Sequence, residues 1–124
     1  MSQNILIIED DSFLRDLLKK KLESFGFGVL EAVDGDKGIK KTKEENLDLI
    51  LLDLILPTTD GFDVLEKIKK DPATSSIPVI VLSNLGQKED IDRCLSLGAT
   101  DYMIKAQSTP DDIAAKIIEI FKNK

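Results

Sequence analysis

The sequence predicts an α/β domain built on a doubly wound, five-stranded parallel sheet with helices on both faces. Three observations carry that prediction. Short apolar runs alternate with helix-spaced patterns along the whole 124-residue chain. Five strand–helix pairs account for it, with no repeat, linker or spare segment. The third run, LDLILLD at 47–53, is apolar at successive positions, as a central strand covered by helices on both sides must be.

The elements follow in order. NILII (4–8) reads as the first strand, and Leu14, Leu17, Leu18, Leu22 and Phe25 then recur at helical spacing until Gly26 punctuates the run. GVLEA (28–32) is the second strand. A weak helix over 36–45 follows, with Ile39 almost its only apolar anchor. After the third strand, Val64, Leu65 and Ile68 mark a helix that ends before Asp71–Pro72, because the residue preceding a proline is driven out of helical geometry. IPVIVLS (77–83) is the fourth strand, and Ile91, Cys94 and Leu95 share one face of the helix behind it. DYMI (101–104) is the fifth. Thr109 caps a last helix with Pro110 at its first position and Asp112 two further on, and Ile113, Ile117, Ile118 and Phe121 form its core stripe.

Composition removes several classes of function. No apolar run approaches the ~20 residues of a membrane span. MSQNILIIEDD lacks the basic start of a secretory signal, so a cytoplasmic protein without membrane contact is expected. The single cysteine, Cys94, excludes an internal disulfide framework and reads as a small packed hydrophobe. A net charge of −6 argues against broad electrostatic binding to nucleic acid, and Lys19–Lys21 read as a solvated helix face. With no histidine in the chain, chemistry falls to carboxylates, hydroxyls, lysine or a hard metal ion.

One residue breaks the pattern. Asp53 stands inside LILLDLILPTTDG (49–61), the most apolar stretch of the chain, where an ionised carboxylate without partners is expensive to bury. It must sit at a strand exit, have strong partners, or both. The other strand ends supply them: Glu9, Asp10 and Asp11 after the first, Ser83 and Asn84 after the fourth, Lys105 after the fifth. In open parallel sheets, ligands bind beyond these carboxyl ends. Clustered carboxylates raise one another's pKa, a conflict that a hard divalent cation such as Mg²⁺ relieves. Lysine and serine offer a point charge and a hydroxyl donor to a phosphoryl group. A carboxylate can accept that group as an aspartyl-phosphate, in a transfer that depends on positioning and charge neutralisation. Taken singly, Asp11 also reads as a helix-dipole partner, Ser83 as a helix-preceding serine and Tyr102 as sheet-edge packing.

These residues resemble the receiver domains of two-component response regulators over nearly the whole length of the chain. The match comprises Glu9–Asp10, Asp53, LPTTDG (56–61), Ser83, Tyr102 and Lys105. The resemblance implies a flavodoxin-like 2-1-3-4-5 strand order and a single receiver domain over 1–124. It implies Asp53 as phosphoacceptor, Lys105 as phosphate-binding lysine, and Ser83 and Tyr102 as switch residues. It implies Mg²⁺ held directly by Asp10 and Asp53, by Glu9 through water, and by the Ile55 main-chain carbonyl. The implied partners are a histidine kinase or phosphotransfer protein, and a downstream protein target on the face of the fourth helix, fifth strand and last helix. Such a domain catalyses its own phosphorylation and dephosphorylation but is not a turnover enzyme. Because the chain ends at Lys124, just after the last helix pattern, no DNA-binding or enzymatic output domain is expected on it.

Rival readings fit less well. A flavodoxin-type FMN site would need a hydroxyl- and glycine-rich loop where EDDS stands. An aspartate-nucleophile phosphatase would carry a second acid at position 55, which is Ile. A receiver fold acting as a constitutive binding module would have lost the acceptor, an acid or the lysine, and none is lost. Two positions depart from the family's pattern: Ala106 replaces the usual proline after the lysine, and Asn84 replaces a small residue. A non-proline cis bond costs about 2.5–4 kcal/mol. The phosphate-site role of Lys105 is nevertheless expected to keep Lys105–Ala106 in the family's cis form, so that Ala106→Pro would stabilise the protein.

Overall fold

The computed structural model describes residues 3–123. Five strands, β1 (Asn4–Ile8), β2 (Gly28–Ala32), β3 (Leu49–Leu52), β4 (Val79–Ser83) and β5 (Asp101–Ile104), form one sheet in the order β2-β1-β3-β4-β5. Every pairing is parallel. Five α-helices alternate with them: α1 (Ser12–Ser24), α2 (Gly35–Glu44), α3 (Gly61–Lys70), α4 (Lys88–Ser96) and α5 (Pro110–Lys122). A short 3-10 turn, Lys105–Gln107, follows β5. The expected fold class and strand order are those observed.

The alternation of strand side chains explains the two layers. Leu6, Ile8, Ile50, Leu52, Val79 and Val81 face one way and pack with Val64, Leu65, Ile68 and Cys94 from α3 and α4. Their neighbours Ile5, Ile7, Leu49, Leu51, Ile80 and Leu82 face the other way, against Leu18 and Leu22 of α1 and Ile113, Ala114 and Ile117 of α5. Period-2 geometry thus makes a continuous apolar run serve two cores at once. Cys94 is fully buried, and burial pushes its thiol up to about 11, which leaves it an unreactive packing residue.

Two strand starts differ from the sequence expectation. β3 and β4 begin two residues later than their apolar runs, at Leu49 and Val79. Pro78 has no N–H to donate, and it joins the sheet only by accepting from the Ile50 N–H at 2.9 Å. The weakly apolar α2 packs by proximity rather than by large side chains. Its buried residues are Gly35, Gly38 and Thr42, and a Cβ on Gly38 would lie 2.5 Å from Ile8 Cδ1. At the other end of the chain, the Thr109–Asp112 capping box closes reciprocally, with bonds of 3.0 and 3.1 Å.

Candidate functional site

The carboxyl edge of the sheet gathers the residues expected there. The Asp53 N–H donates to the Ile8 carbonyl at 3.1 Å and the Glu9 N–H to the Ala32 carbonyl at 3.0 Å. Both acids therefore hang from the last rung of their strands. Asp53 is 4% and Glu9 2% exposed, so neither carboxylate can rely on bulk water. Lys105 comes over them from the end of β5. Its Nζ lies 2.6 Å from Glu9 Oε1 and 2.9 Å from Asp53 Oδ2, and the second contact is also a hydrogen bond. The remaining oxygens are served by backbone: the Ile55 N–H donates to Asp53 Oδ1 at 3.2 Å and the Asp11 N–H to Glu9 Oε2 at 3.1 Å.

The electrostatics follow from one cation placed between two buried anions. Burial lifts the Glu9 carboxyl above its ordinary value, against the opposing pull of Lys105 and the Asp11 N–H. Burial alone would lower the Lys105 ammonium, but its bonds to Glu9 and Asp53 outweigh that and raise it. Asp10 is exposed and completes a set with Glu9 and Asp53, each of which offers one carboxylate oxygen within 4.8 Å of the other two. An all-oxygen, anionic donor set of this size fits a hard divalent cation such as Mg²⁺.

Asp11 belongs to a different task. Its side chain caps α1, accepting from the Phe13 and Leu14 N–H groups at 3.0 and 3.3 Å. Ser83 is fully buried; its Oγ accepts from the Leu85 N–H at 3.2 Å, and its hydroxyl lies against that of Tyr102. The Tyr102 hydroxyl donates to the carbonyl of the same residue, Leu85, while its ring packs against the α2–α3–α4 core. Burial pushes the Tyr102 phenol up. The two expected switch residues therefore share Leu85, a backbone hub with no side-chain signature in the sequence.

Other participants escaped sequence reasoning altogether. Arg15 Nη1 holds the Glu9 carbonyl at 2.8 Å while its Nε pairs with Glu31 Oε2 at 2.7 Å. Arg93 of α4 stacks on Phe62, its guanidinium carbon 4.1 Å from the ring centroid. The expected cis bond at Lys105–Ala106 is not found: among the described residues every peptide bond is trans. The reason lies in Ala106 itself. Unlike proline it has an N–H, which the trans turn directs to Asn84 Oδ1 at 3.0 Å, and no local gain offsets the cis penalty of a non-proline bond.

A doubly wound parallel sheet with two buried acids, a lysine and a hydroxyl at its carboxyl edge is the architecture of a receiver domain. The chain matches the response regulator receiver domain family over residues 5–118 and belongs to it. It is similar to the DNA-binding dual master transcriptional regulator RpaA of Synechocystis, with 45% identity over 82% of this chain and 42% of that protein. It is also 36% identical to the phosphate regulon transcriptional regulatory protein PhoB of Escherichia coli, over 98% of this chain and 53% of the relative. The chain thus spans about half the length of these relatives. Among solved structures, the CheY-like receiver domain protein of Methanospirillum hungatei superposes with a TM-score of 0.92 at 30% identity, covering 99% of this chain and 96% of that one. The chain is thus a receiver domain of two-component signalling, and these curated relatives are transcriptional regulators. Among the described residues no helix is long and apolar enough to cross a membrane.

Proposed function

We propose that this domain, spanning 1–124, accepts a phosphoryl group on Asp53 from a phosphohistidine of a histidine kinase or phosphotransfer protein. The single observation that carries the reading is the buried Glu9–Lys105–Asp53 arrangement, in which Lys105 Nζ stands 2.9 Å from Asp53 Oδ2. In the transfer, the phosphorus–nitrogen bond of the donor breaks as a phosphorus–oxygen bond forms to an Asp53 carboxylate oxygen. Lys105 neutralises charge on the incoming group, and the Ile55 N–H keeps the carboxylate oriented. Ser83 turns its hydroxyl from Tyr102 to donate to a phosphoryl oxygen. Asp10, Asp53, Glu9 and the Ile55 carbonyl would hold Mg²⁺, which when bound adds positive charge to neutralise the transferring group. Hydrolysis of the aspartyl-phosphate returns the domain to its starting state, so the domain acts on itself without turning over a substrate.

The same geometry supports a switch. Ser83 moving toward a phosphoryl group would loosen its bond to Leu85, and Leu85 also holds the Tyr102 hydroxyl. The surface of α4, β5 and α5 would change in response, a local charge event read at a distance by a protein partner. The net charge of −6 favours a protein over nucleic acid as the partner of this domain, acting in the cytoplasm.

Incubation with acetyl phosphate and Mg²⁺ should add one phosphoryl mass to the wild-type protein and none to Asp53→Asn. Equal labelling of the two would refute the assignment. Mg²⁺ should also raise the melting temperature, because a ligand at 100 times its dissociation constant adds ~2.7 kcal/mol when it binds only the folded state. Asp10→Asn should shrink that shift. Melting curves indifferent to Mg²⁺ in the wild type would exclude the metal site.

A further inference from the structure

We infer that Asn84 is a positioning residue for Lys105, anchoring the turn that carries the lysine to the end of β4. The anchor stands on geometry, and its consequence for the reaction rests on the phosphoacceptor reading above. β5 is an edge strand bonded only to β4, and their register ends at the pair Ser83↔Ile104. Lys105 comes next, at the start of the 3-10 turn, beyond the last backbone rung. Asn84 supplies the missing tie. Its Oδ1 accepts from the Ala106 N–H at 3.0 Å, across 22 residues of sequence. A side-chain amide oxygen thereby extends the connection between the two strands past the point where main-chain pairing stops.

This bond brackets the lysine. Ile104 on one side is held by the sheet and Ala106 on the other by Asn84, so the Lys105 Cα has little freedom. That matters because the ammonium sits at the end of a flexible four-carbon stem and must meet two fixed carboxylates at 2.6 and 2.9 Å. The two residues that depart from the family's pattern are then one device. A proline at 106 would have no N–H to give, and a small residue at 84 would have no oxygen to receive it. Because Asn84 directly follows Ser83, the anchor also ties the switch hydroxyl and the phosphate-site lysine to the same strand end.

The test is the side-chain NMR signal of Lys105, read in the unphosphorylated protein. In the wild type its ¹³Cε and ¹⁵Nζ resonances should stand apart from those of exposed lysines. Asn84→Ala should move them toward the exposed values, whereas Asn84→Asp, which keeps the acceptor oxygen, should leave them near wild type. Ala106→Pro removes the donor instead and should move them likewise, and the double variant Asn84→Ala/Ala106→Pro should add nothing further. Since both ends of the bond are exposed, the expected loss in phosphorylation rate is modest, roughly two- to fivefold. Unmoved Lys105 resonances in both Asn84→Ala and Ala106→Pro would overturn the proposal. So would an Asn84→Asp signal displaced as far as that of Asn84→Ala. If Asn84→Ala fails to fold, Ala106→Pro decides from the donor side. Failure of wild type to gain a phosphoryl mass would instead strike the phosphoacceptor reading, which the resonances do not measure.

Discussion

Lys105→Met is expected to lower stability by about 3 kcal/mol at pH 7 in metal-free buffer, measured by urea unfolding. Breaking a buried ion pair by removing one partner typically costs about 3–5 kcal/mol, because the remaining charge is left desolvated. Here two charges are left, on Glu9 and Asp53, at 3% and 4% side-chain exposure. Methionine keeps most of the stem's volume, so the loss reports charge rather than a cavity. The expected figure lies at the low end because Lys105 is 18% exposed and water can enter where its ammonium stood. The pH dependence separates this from simple misfolding. Glu9 has a raised pKa in the folded wild-type protein, so it holds its proton more tightly there than in the unfolded chain. Its contribution to stability is complete below its ordinary value near 4.5 and is lost as pH climbs through the raised folded value. Without Lys105 that folded value should rise further. The variant's deficit should therefore be large at neutral pH and shrink as the pH falls toward 4.5. Glu9→Gln in the Lys105→Met background should recover part of the loss at pH 7, because only one buried carboxylate remains. A deficit below about 1 kcal/mol at pH 7, or one independent of pH, would show that the lysine does not hold the two acids together.

The site is legible because its members stand at the last residue of a recognisable strand or one residue beyond it. Parallel sheets put every such position on one edge, so Glu9, Asp53, Ser83 and Lys105 converge once five strands are recognised. The strands were legible because both faces are covered, which makes a run such as Leu49–Leu52 unbroken in its apolarity. What escaped depends on pairings that no local pattern encodes. Arg15 reads as an ordinary polar helix residue until Glu31 and the Glu9 carbonyl are brought beside it. α2 looks weak on apolar content, yet its glycines give contact by closeness rather than by bulk. The trans geometry of the Lys105–Ala106 bond is hidden for a related reason. In the sequence Ala106 shows only the loss of proline's low cis penalty. What decides its geometry is the N–H it gains and the Asn84 oxygen 22 positions earlier. Asn84 and Ala106, far apart in sequence, have meaning only as a contact.

Gly61→Ala is expected to be nearly as damaging as loss of the lysine, although it adds only one methyl group. Gly61 is the first residue of α3, capped by Asp60 Oδ1, which accepts from the Phe62 N–H at 2.8 Å. Its own N–H donates to the Leu54 carbonyl at 3.0 Å, which draws the start of the helix against the segment just past Asp53. A Cβ there would lie 2.3 Å from Leu54 Cα and 2.7 Å from the carbonyl oxygens of both Asp53 and Leu54. All three are backbone atoms, so no side-chain rotation can relieve the clash. Either α3 or the 53–55 segment must move, and the Ile55↔Asp60 bridge links the two. Overpacking usually costs about 1–3 kcal/mol, and with only backbone to yield the value should fall near 3. Moving the Asp53 carbonyl also turns its carboxylate relative to Lys105, so the folded fraction should take up phosphoryl groups more slowly than wild type. Gly86→Ala is the matched control. The new methyl would meet only Ile104 Cδ1, at an ordinary 3.5 Å, and stability should change by less than ~0.5 kcal/mol. Urea unfolding of both variants, with acetyl-phosphate labelling of each, tests the argument. If Gly61→Ala is as mild as Gly86→Ala, the 53–55 segment is not held in place by the close approach of α3.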